Sequence, residues 1–363
     1  MGGKCSPGGV AMCVGVLIAG LMGCDARIGR ERTEIVHQLD LSRAVFYEPD
    51  MGPIVWIQPI DVGGARPSIA VFDQHEMRVL DAAGRTVLYK LRFPDAVFRP
   101  RIIEREGTRE RYITSDGYST GAMLMNWDGR VLWPKMAHDT GSRLATGDLD
   151  GDGQTEFYVG DSHGLQRVGR EEGRLFWRIG GYFLTDMAGL TATKDRKGLL
   201  AVQASRGGAV RLFDSEGEEE GQLPFDGYVT NVNACDWPVA GNVLLATSNG
   251  DLCVIDRDGR RSLTYWAGQD GFCDGLCAIS RLNSAPIRFG PEESKYLALV
   301  AFKSWVSGLA MLYVFSPTGE LVYRERLHST TGIAALDAPA GGLPMLLVGD
   351  GGNVYSYSVS QGK

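Results

Sequence analysis

The sequence predicts an all-β fold in which one unit is repeated around a ring, on three observations. The first is a recurring hairpin. RVLDAAGRTVLYKL from Arg78, MLMNWDGRVLWPK from Met123 and LQRVGREEGRLFWRI from Leu165 each join two β-rich runs across a polar turn with a glycine near its end. VRLFDSEGEEEGQLPF from Val210, LCVIDRDGRRSLTYW from Leu252 and LYVFSPTGELVYRERL from Leu312 read the same way. Glycine supplies the positive φ that such turns need. The second is the period: Gly84, Gly129, Gly173, Gly217, Gly259 and Gly319 are 45, 44, 44, 42 and 60 residues apart. The third is a pair of further apolar runs upstream of each hairpin, at 143–149 and 156–160 in the third repeat and at 229–236 and 242–247 in the fifth. Four strands in roughly 44 residues is the blade period of a β-propeller.

The chain opens with residues 1–23, read as a signal peptide. Lys4 gives a weakly positive start, and the apolar run 10–22, VAMCVGVLIAGLM, has the length of a signal core and falls short of a membrane span. The run ends in Leu21-Met22-Gly23-Cys24, which resembles a bacterial lipobox. That resemblance implies that Cys24 becomes the lipidated first residue of a membrane-anchored protein in the cell envelope. Residues 24–33 then form a tether and 34–363 the propeller.

Residues 34–41, EIVHQLDL, have strand character but precede the first full repeat. At the other end, VYSYSVSQG stops a seventh repeat at its third strand, with Gly362 lying 43 residues after Gly319. The N-terminal strand is expected to supply the missing outer strand and close a ring of seven four-stranded blades. The long gap before Gly319 is read as a surface loop at 283–294, NSAPIRFGPEES. Trp133, Trp177 and Trp266 stand near the fourth-strand position of their repeats, and in this the hairpins resemble pyrroloquinoline-quinone-like propeller repeats. That family includes quinoprotein dehydrogenases and the lipoprotein of the outer-membrane barrel assembly machinery.

The third repeat carries GDLDGDGQTEFYVG between its first two strands. Asp148, Asp150 and Asp152 occupy alternate positions, Gly153 makes the sharp turn, and Gln154 and Glu156 follow. Alternation aims the carboxylates at one point, and hard oxygen donors favour Ca²⁺. The stretch resembles the DxDGDGxxD loop of FG-GAP/VCBS propeller repeats, including those of integrin α-subunits, with Glu156 where aspartate is usual. One structural calcium, pinning the loop, is expected; a polar turn in which Asp-Gly pairs merely make the bend is the plainer alternative.

Beyond the signal segment, Cys235, Cys253, Cys273 and Cys277 remain, and an oxidising compartment would allow any of three pairings. No P-loop, GxSxG or HExxH motif is present, and His37, His75, His138, His163 and His328 are scattered. A candidate ligand face comes from loops that propeller topology places on one side. It comprises Asp73, Asp116, Asp161 and Asp350, with Tyr182, Tyr228, Phe272 and Trp305; Phe98 and Phe183 belong to the same loop set. The same residues also suit wedging between blades and capping turns.

A net charge of −7 excludes a nucleic-acid partner, which requires a basic surface. The leading expectation is a lipid-anchored envelope propeller that binds or scaffolds an envelope protein. Two others stay open: an enzyme on the same scaffold, either a quinoprotein dehydrogenase or a glycan-acting lyase or hydrolase, and an adhesin-like glycan binder.

Overall fold

The computed structural model describes residues 38–63, 67–104, 108, 110–117, 121–133, 142–161, 164–171, 173–180, 184–204, 209–223, 225, 228–270, 272, 279–289, 294–304, 307–336 and 343–359. Strand β1 (Leu41–Tyr47) comes first in the chain and last in the ring. Blade 1 follows with β2 (Trp56–Ile60), β3 (Ser68–Phe72), β4 (Glu76–Leu80) and β5 (Val87–Arg92). Blade 2 holds β6 (Val97–Glu104), β7 (Arg111–Gly117) and β8 (Gly121–Asn126), and blade 3 holds β9 (Arg143–Gly147), β10 (Glu156–Asp161), β11 (Gly164–Val168) and β12 (Leu175–Gly180). Blade 4 is β13 (Leu184–Leu190), β14 (Leu199–Ala204), β15 (Val210–Phe213) and β16 (Glu219–Leu223). Blade 5 is β17 (Val229–Cys235), β18 (Asn242–Thr247), β19 (Asp251–Ile255) and β20 (Arg261–Trp266). Blade 6 is β21 (Arg281–Ile287), β22 (Tyr296–Ser304), β23 (Leu309–Phe315) and β24 (Leu321–His328). Blade 7 takes β25 (Ile333–Leu336), β26 (Met345–Asp350) and β27 (Asn353–Val359), with β1 outside β27.

Every sheet is antiparallel in sequence order, so the protein is a seven-bladed β-propeller. The fourth position of blade 2 is held by the bridge between Met125 and Val131 and by the Leu132 N–H on the Leu124 carbonyl. A single 3-10 turn, Ala267–Asp270, is the only helix among the described residues.

The strand pattern explains the ring. Successive side chains of a strand point to opposite faces. Along β22, Leu297, Leu299 and Ala301 face blade 5, while Ala298, Val300 and Phe302 face blade 7. Both faces are buried, so the run YLALVAF is apolar throughout. Seven hydrophobic clusters result, one at each seam between neighbouring blades.

The hairpin turns form as expected. The turn glycines adopt φ between 64° and 87°. In most repeats the residue three before the glycine accepts backbone N–H bonds through its own side chain. Asp81 takes them from Ala83 and Arg85, Asp214 from Glu216 and Glu218, and Asp256 from Asp258 and Arg260. Such local capping is what makes aspartate a turn residue. The tryptophans clamp neighbours: the Trp133 indole donates to the Arg170 carbonyl at 2.9 Å and Trp177 to that of Ser215 at 2.8 Å, each on the next blade's hairpin. Trp266 instead bonds within its own blade, to the Asn249 carbonyl.

Two expectations need correction. The ring is closed by an N-terminal strand, but that strand is 41–47 and not 34–41; residues 34–37 lie outside the described residues. Gln38 and Leu39 instead donate to the Val322 carbonyl of blade 6. Side chains decide the register. The Arg43 guanidinium pairs with Glu325 and Asp350 and lies 3.7 Å from the Tyr355 ring, contacts that EIVHQLDL has no cation at that place to make. The stretch 283–294 is also not all loop. Asn283 to Ile287 belong to inner strand β21, and Asn283 is 8% exposed. The proline there misleads, but inner strands are sheet edges, where a missing N–H costs no ladder bond. Pro59 and Pro100 sit in inner strands β2 and β6 for the same reason.

Neighbouring inner strands do not pair as a sheet. Polar side chains stitch them instead. Gln58 exchanges two bonds with the Ile102 backbone, Asn231 and Asn233 donate to the Ile279 and Leu282 carbonyls, and Asn283 donates to that of Thr331. Thr330 and Thr331 close the circuit on the Ile54 and Val55 carbonyls.

Candidate functional site

Two polar constellations stand out, one in a loop and one on the axis. The loop joins β9 to β10. Gly151 and Gly153 take φ of 78° and 83°, which folds the chain back on its own carboxylates. Asp148 accepts the N–H groups of Gly151 and Gly153 at 2.7 and 3.1 Å, Asp150 that of Asp152 at 3.2 Å, and Asp152 that of Gln154 at 2.7 Å. The Gln154 side-chain amide also reaches Asp152, at 3.3 Å. One oxygen each from Asp148, Asp150, Asp152 and Glu156 lies within 4.8 Å of the others. Two oxygens sharing one calcium ion at ~2.3–2.6 Å can be no more than ~5 Å apart, so the set fits that cation.

Charge supports the fit. Arg167 on β11 reaches Asp150 at 3.3 Å and Glu156 at 3.6 Å, one cation against a cluster of four carboxyl groups. Glu156 is 6% exposed and its Oε2 accepts the Leu149 N–H at 2.6 Å. Burial, with the carboxylates of Asp150 and Asp148 adding to it, pushes its carboxyl up to about 7. A bound cation would reverse that.

The axial constellation was not legible as a site in the sequence. A β-bulge at Phe98 to Arg101 gives Arg99 a φ of 50° and turns its guanidinium across the ring onto Asp186. That bridge is bidentate, with one arm at 2.9 Å. Asp186 is fully buried and also accepts the Val232 N–H at 2.9 Å, so it ties blades 2, 4 and 5 together. Asp116 accepts the Leu144 N–H at 2.8 Å from blade 3. Burial raises its carboxyl above the usual range. Arg281 stacks 4.3 Å from the Phe98 ring, and burial, with Arg99 and Arg143 near, lowers its guanidinium to about 9. Asp116 and Phe98 belong to the face expected from the sequence; for Arg99 and Asp186 the only trace is charge inside otherwise apolar first strands, as in VFRPRIIE and LTDMAGL.

The expected ligand face is largely spoken for by the fold. Asp73 is 5% exposed and accepts the N–H groups of Gly52, His75 and Glu76. Asp161 lies 3.7 Å from Arg178, and Asp350 holds Arg43 and the His328 N–H. Phe272 is 1% exposed in the core between blades 5 and 6, because its ring fills that seam, so it offers no surface. Tyr228 is 45% exposed. Tyr182 and Trp305, like Phe183, Cys24, Cys273, Cys277 and Gly362, lie outside the described residues. Cys235 and Cys253 are buried, and the Cys253 thiol lies 3.6 Å from the Thr264 hydroxyl.

No protein-family model matches the chain, and no curated protein matches it either. Solved structures do. The crystal structure of BBS1N in complex with ARL6DN, soaked with mercury, is similar at a TM-score of 0.61 and 12% identity, over 91% of this chain and 99% of that one. The same complex soaked with lead gives 0.60 over the same shares. Raptor of Chaetomium thermophilum gives 0.57 at 15% identity, over 90% of this chain and 29% of that one. At such identity the likeness is one of fold.

Proposed function

We propose that this chain is a lipid-tethered propeller of the bacterial envelope that binds a partner protein, with one structural calcium ion in the 148–156 loop. The observation that carries the binding role is the fold itself: a closed ring with no catalytic motif, similar to a BBS1N propeller whose crystal holds ARL6DN. Tyr228, together with Tyr182 and Trp305, supplies the aromatic part of the face we assign to that partner. Aromatics at a partly buried centre carry much of the energy of protein interfaces. The anchor is assigned to Cys24, on the run ending in LMGC.

Calcium would be held by Asp148, Asp150, Asp152 and Glu156, with Gln154 closing the loop. Its chemistry there is charge neutralisation, and the loop lies beside the neighbouring blade through the Ala192 N–H on the Asp148 carbonyl at 2.6 Å.

The test is affinity purification from membranes, chemically cross-linked, with the wild-type chain, Tyr228→Ala and Cys24→Ala. A single dominant protein recovered with wild type and reduced several-fold with Tyr228→Ala is the expected result. Mass spectrometry of the same sample should show a diacylglycerol adduct on Cys24. Equal recovery with Tyr228→Ala would refute the assigned face, and an unmodified mature N-terminus elsewhere would refute the anchor.

A further inference from the structure

The axis contains a cavity of about 730 Å³ open toward the end where the calcium loop lies. It is lined from six inner strands, among them Gln58, Thr146, Asn233 and Asn283, which present a polar amide and hydroxyl wall. Arg101 of β6 and Trp56 of β2 also line it, and these two are anomalous.

Arg101 carries five N–H donors. Among the described residues none of them has a hydrogen-bond acceptor, and no carboxylate lies within ion-pair distance. Its one close partner is the Trp56 ring, 5.3 Å from the guanidinium carbon. The Trp56 indole N–H is itself buried and without an acceptor among the described residues. Arg99 already commits its fork to Asp186, which is fully buried. Burial and the nearby Arg99 oppose the Arg101 charge, and the carboxylates of Asp116 and Asp186 offset them in part. The Arg101 side chain is partly exposed and lines the cavity, so water there meets its donors, and a ligand with paired acceptors would take the place of that water.

We propose that this axial cavity is a binding site for a small molecule bearing an oxyanion, a carboxylate or a phosphate, with Arg101 as the residue that grips it. Both groups present paired oxygens that match a guanidinium fork. The amides of Asn233 and Asn283 already donate to backbone carbonyls, so they wall the site and do not compete for the anion. The cavity admits a metabolite-sized ligand and excludes a protein domain. This site is separate from the partner face and stands or falls independently of it.

The experiment is thermal melting of the full chain in chelator, with sodium phosphate, sodium acetate or sodium chloride at equal ionic strength. Phosphate or acetate should raise the melting temperature over chloride, by an amount that grows with the logarithm of its concentration. Tryptophan emission should change in parallel, and the change should vanish in Trp56→Phe. In Arg101→Gln the anion effect should be lost, while the protein in chloride melts close to wild type, because no hydrogen bond or ion pair of Arg101 among the described residues is given up. Should Arg101→Gln not fold, Arg101→Lys keeps the charge without the planar fork and should cut the anion effect several-fold. A response to acetate assigns a carboxylate ligand; a response to phosphate alone assigns a phosphate ester. Identical melting in all three salts, or an anion effect that survives in both Arg101 variants, overturns the proposal.

Discussion

Glu156→Gln separates an ion-binding loop from a polar turn. In the fold the Glu156 carboxyl titrates near 7, against 4.5 for an unperturbed glutamate. That gap is worth about 3 kcal/mol, at about 1.4 kcal/mol per tenfold change in proton affinity. The folded state is the one that binds the proton more tightly. The advantage is therefore complete below pH 4.5 and is lost as pH rises through 7. For the roughly 270 described residues the unfolding entropy is about 0.6 kcal/mol/K, so about 3 kcal/mol moves the melting temperature by some 5 °C. In chelator, wild type should lose that much relative to Glu156→Gln between pH 5 and pH 8, since glutamine stays neutral and still accepts the Leu149 N–H. Calcium reverses the order. It requires the ionised carboxylate, and at one thousand times its dissociation constant it adds about 4.1 kcal/mol to the folded state, more than the ionisation costs. At pH 8 in calcium, wild type should then melt above Glu156→Gln. Differential scanning calorimetry of both proteins in both buffers makes the comparison. If the two proteins track each other from pH 5 to pH 8 in chelator, and calcium moves neither, the carboxylates only shape a bend.

Other perturbations test the ring. Asp186→Ala leaves the Arg99 guanidinium buried without its partner and should cost about 3–5 kcal/mol, read as a lower urea midpoint; a midpoint within experimental error of wild type would show that the axial bridge contributes nothing. Deleting Leu41–Tyr47 strips β27 of its neighbour and exposes a sheet edge, so the protein should melt lower and aggregate in light scattering. Unchanged melting would mean that the ring does not need this strand. Gly217→Ala places a Cβ 3.2 Å from the Trp177 ring at a φ of 87° and should cost about 1–2 kcal/mol, which chemical denaturation resolves.

The ring was readable because the repeat writes itself several times over. Asp81, Asp214 and Asp256 each cap the turn three residues before a glycine, and one such turn would have been a weak signal. The acidic cluster was readable for the opposite reason: its carboxylates are local, so spacing alone gathers them. The axial site was hidden. Trp56, Arg101 and Asp186 lie on three different blades, and nothing in a linear pattern reports that inner strands converge. Closure was misplaced by a few residues because 34–41 and 41–47 have similar β character. Only long-range partners, Glu325 and Asp350 for Arg43, choose between them. Phe272 and the turn aspartates show the reverse error, where residue types suited to a surface are used up by packing and capping.

The clasp of blade 7 also has a direction. β1 and β27 are antiparallel, with Leu41 opposite Val359 and Ser42 beside Ser358. A pull on the chain ahead of Leu41 first meets the Gln38 and Leu39 N–H groups on the Val322 carbonyl and then the last rung of the ladder, whose rungs part in series instead of sharing the load. Peeling would run two residues before it met Arg43, whose guanidinium is bound to carboxylates on both blade 6 and blade 7. That residue acts as a catch. Tension below its holding force frays two rungs and reseals, while tension above it strips β1 and leaves β27 as the bare outer edge of blade 7.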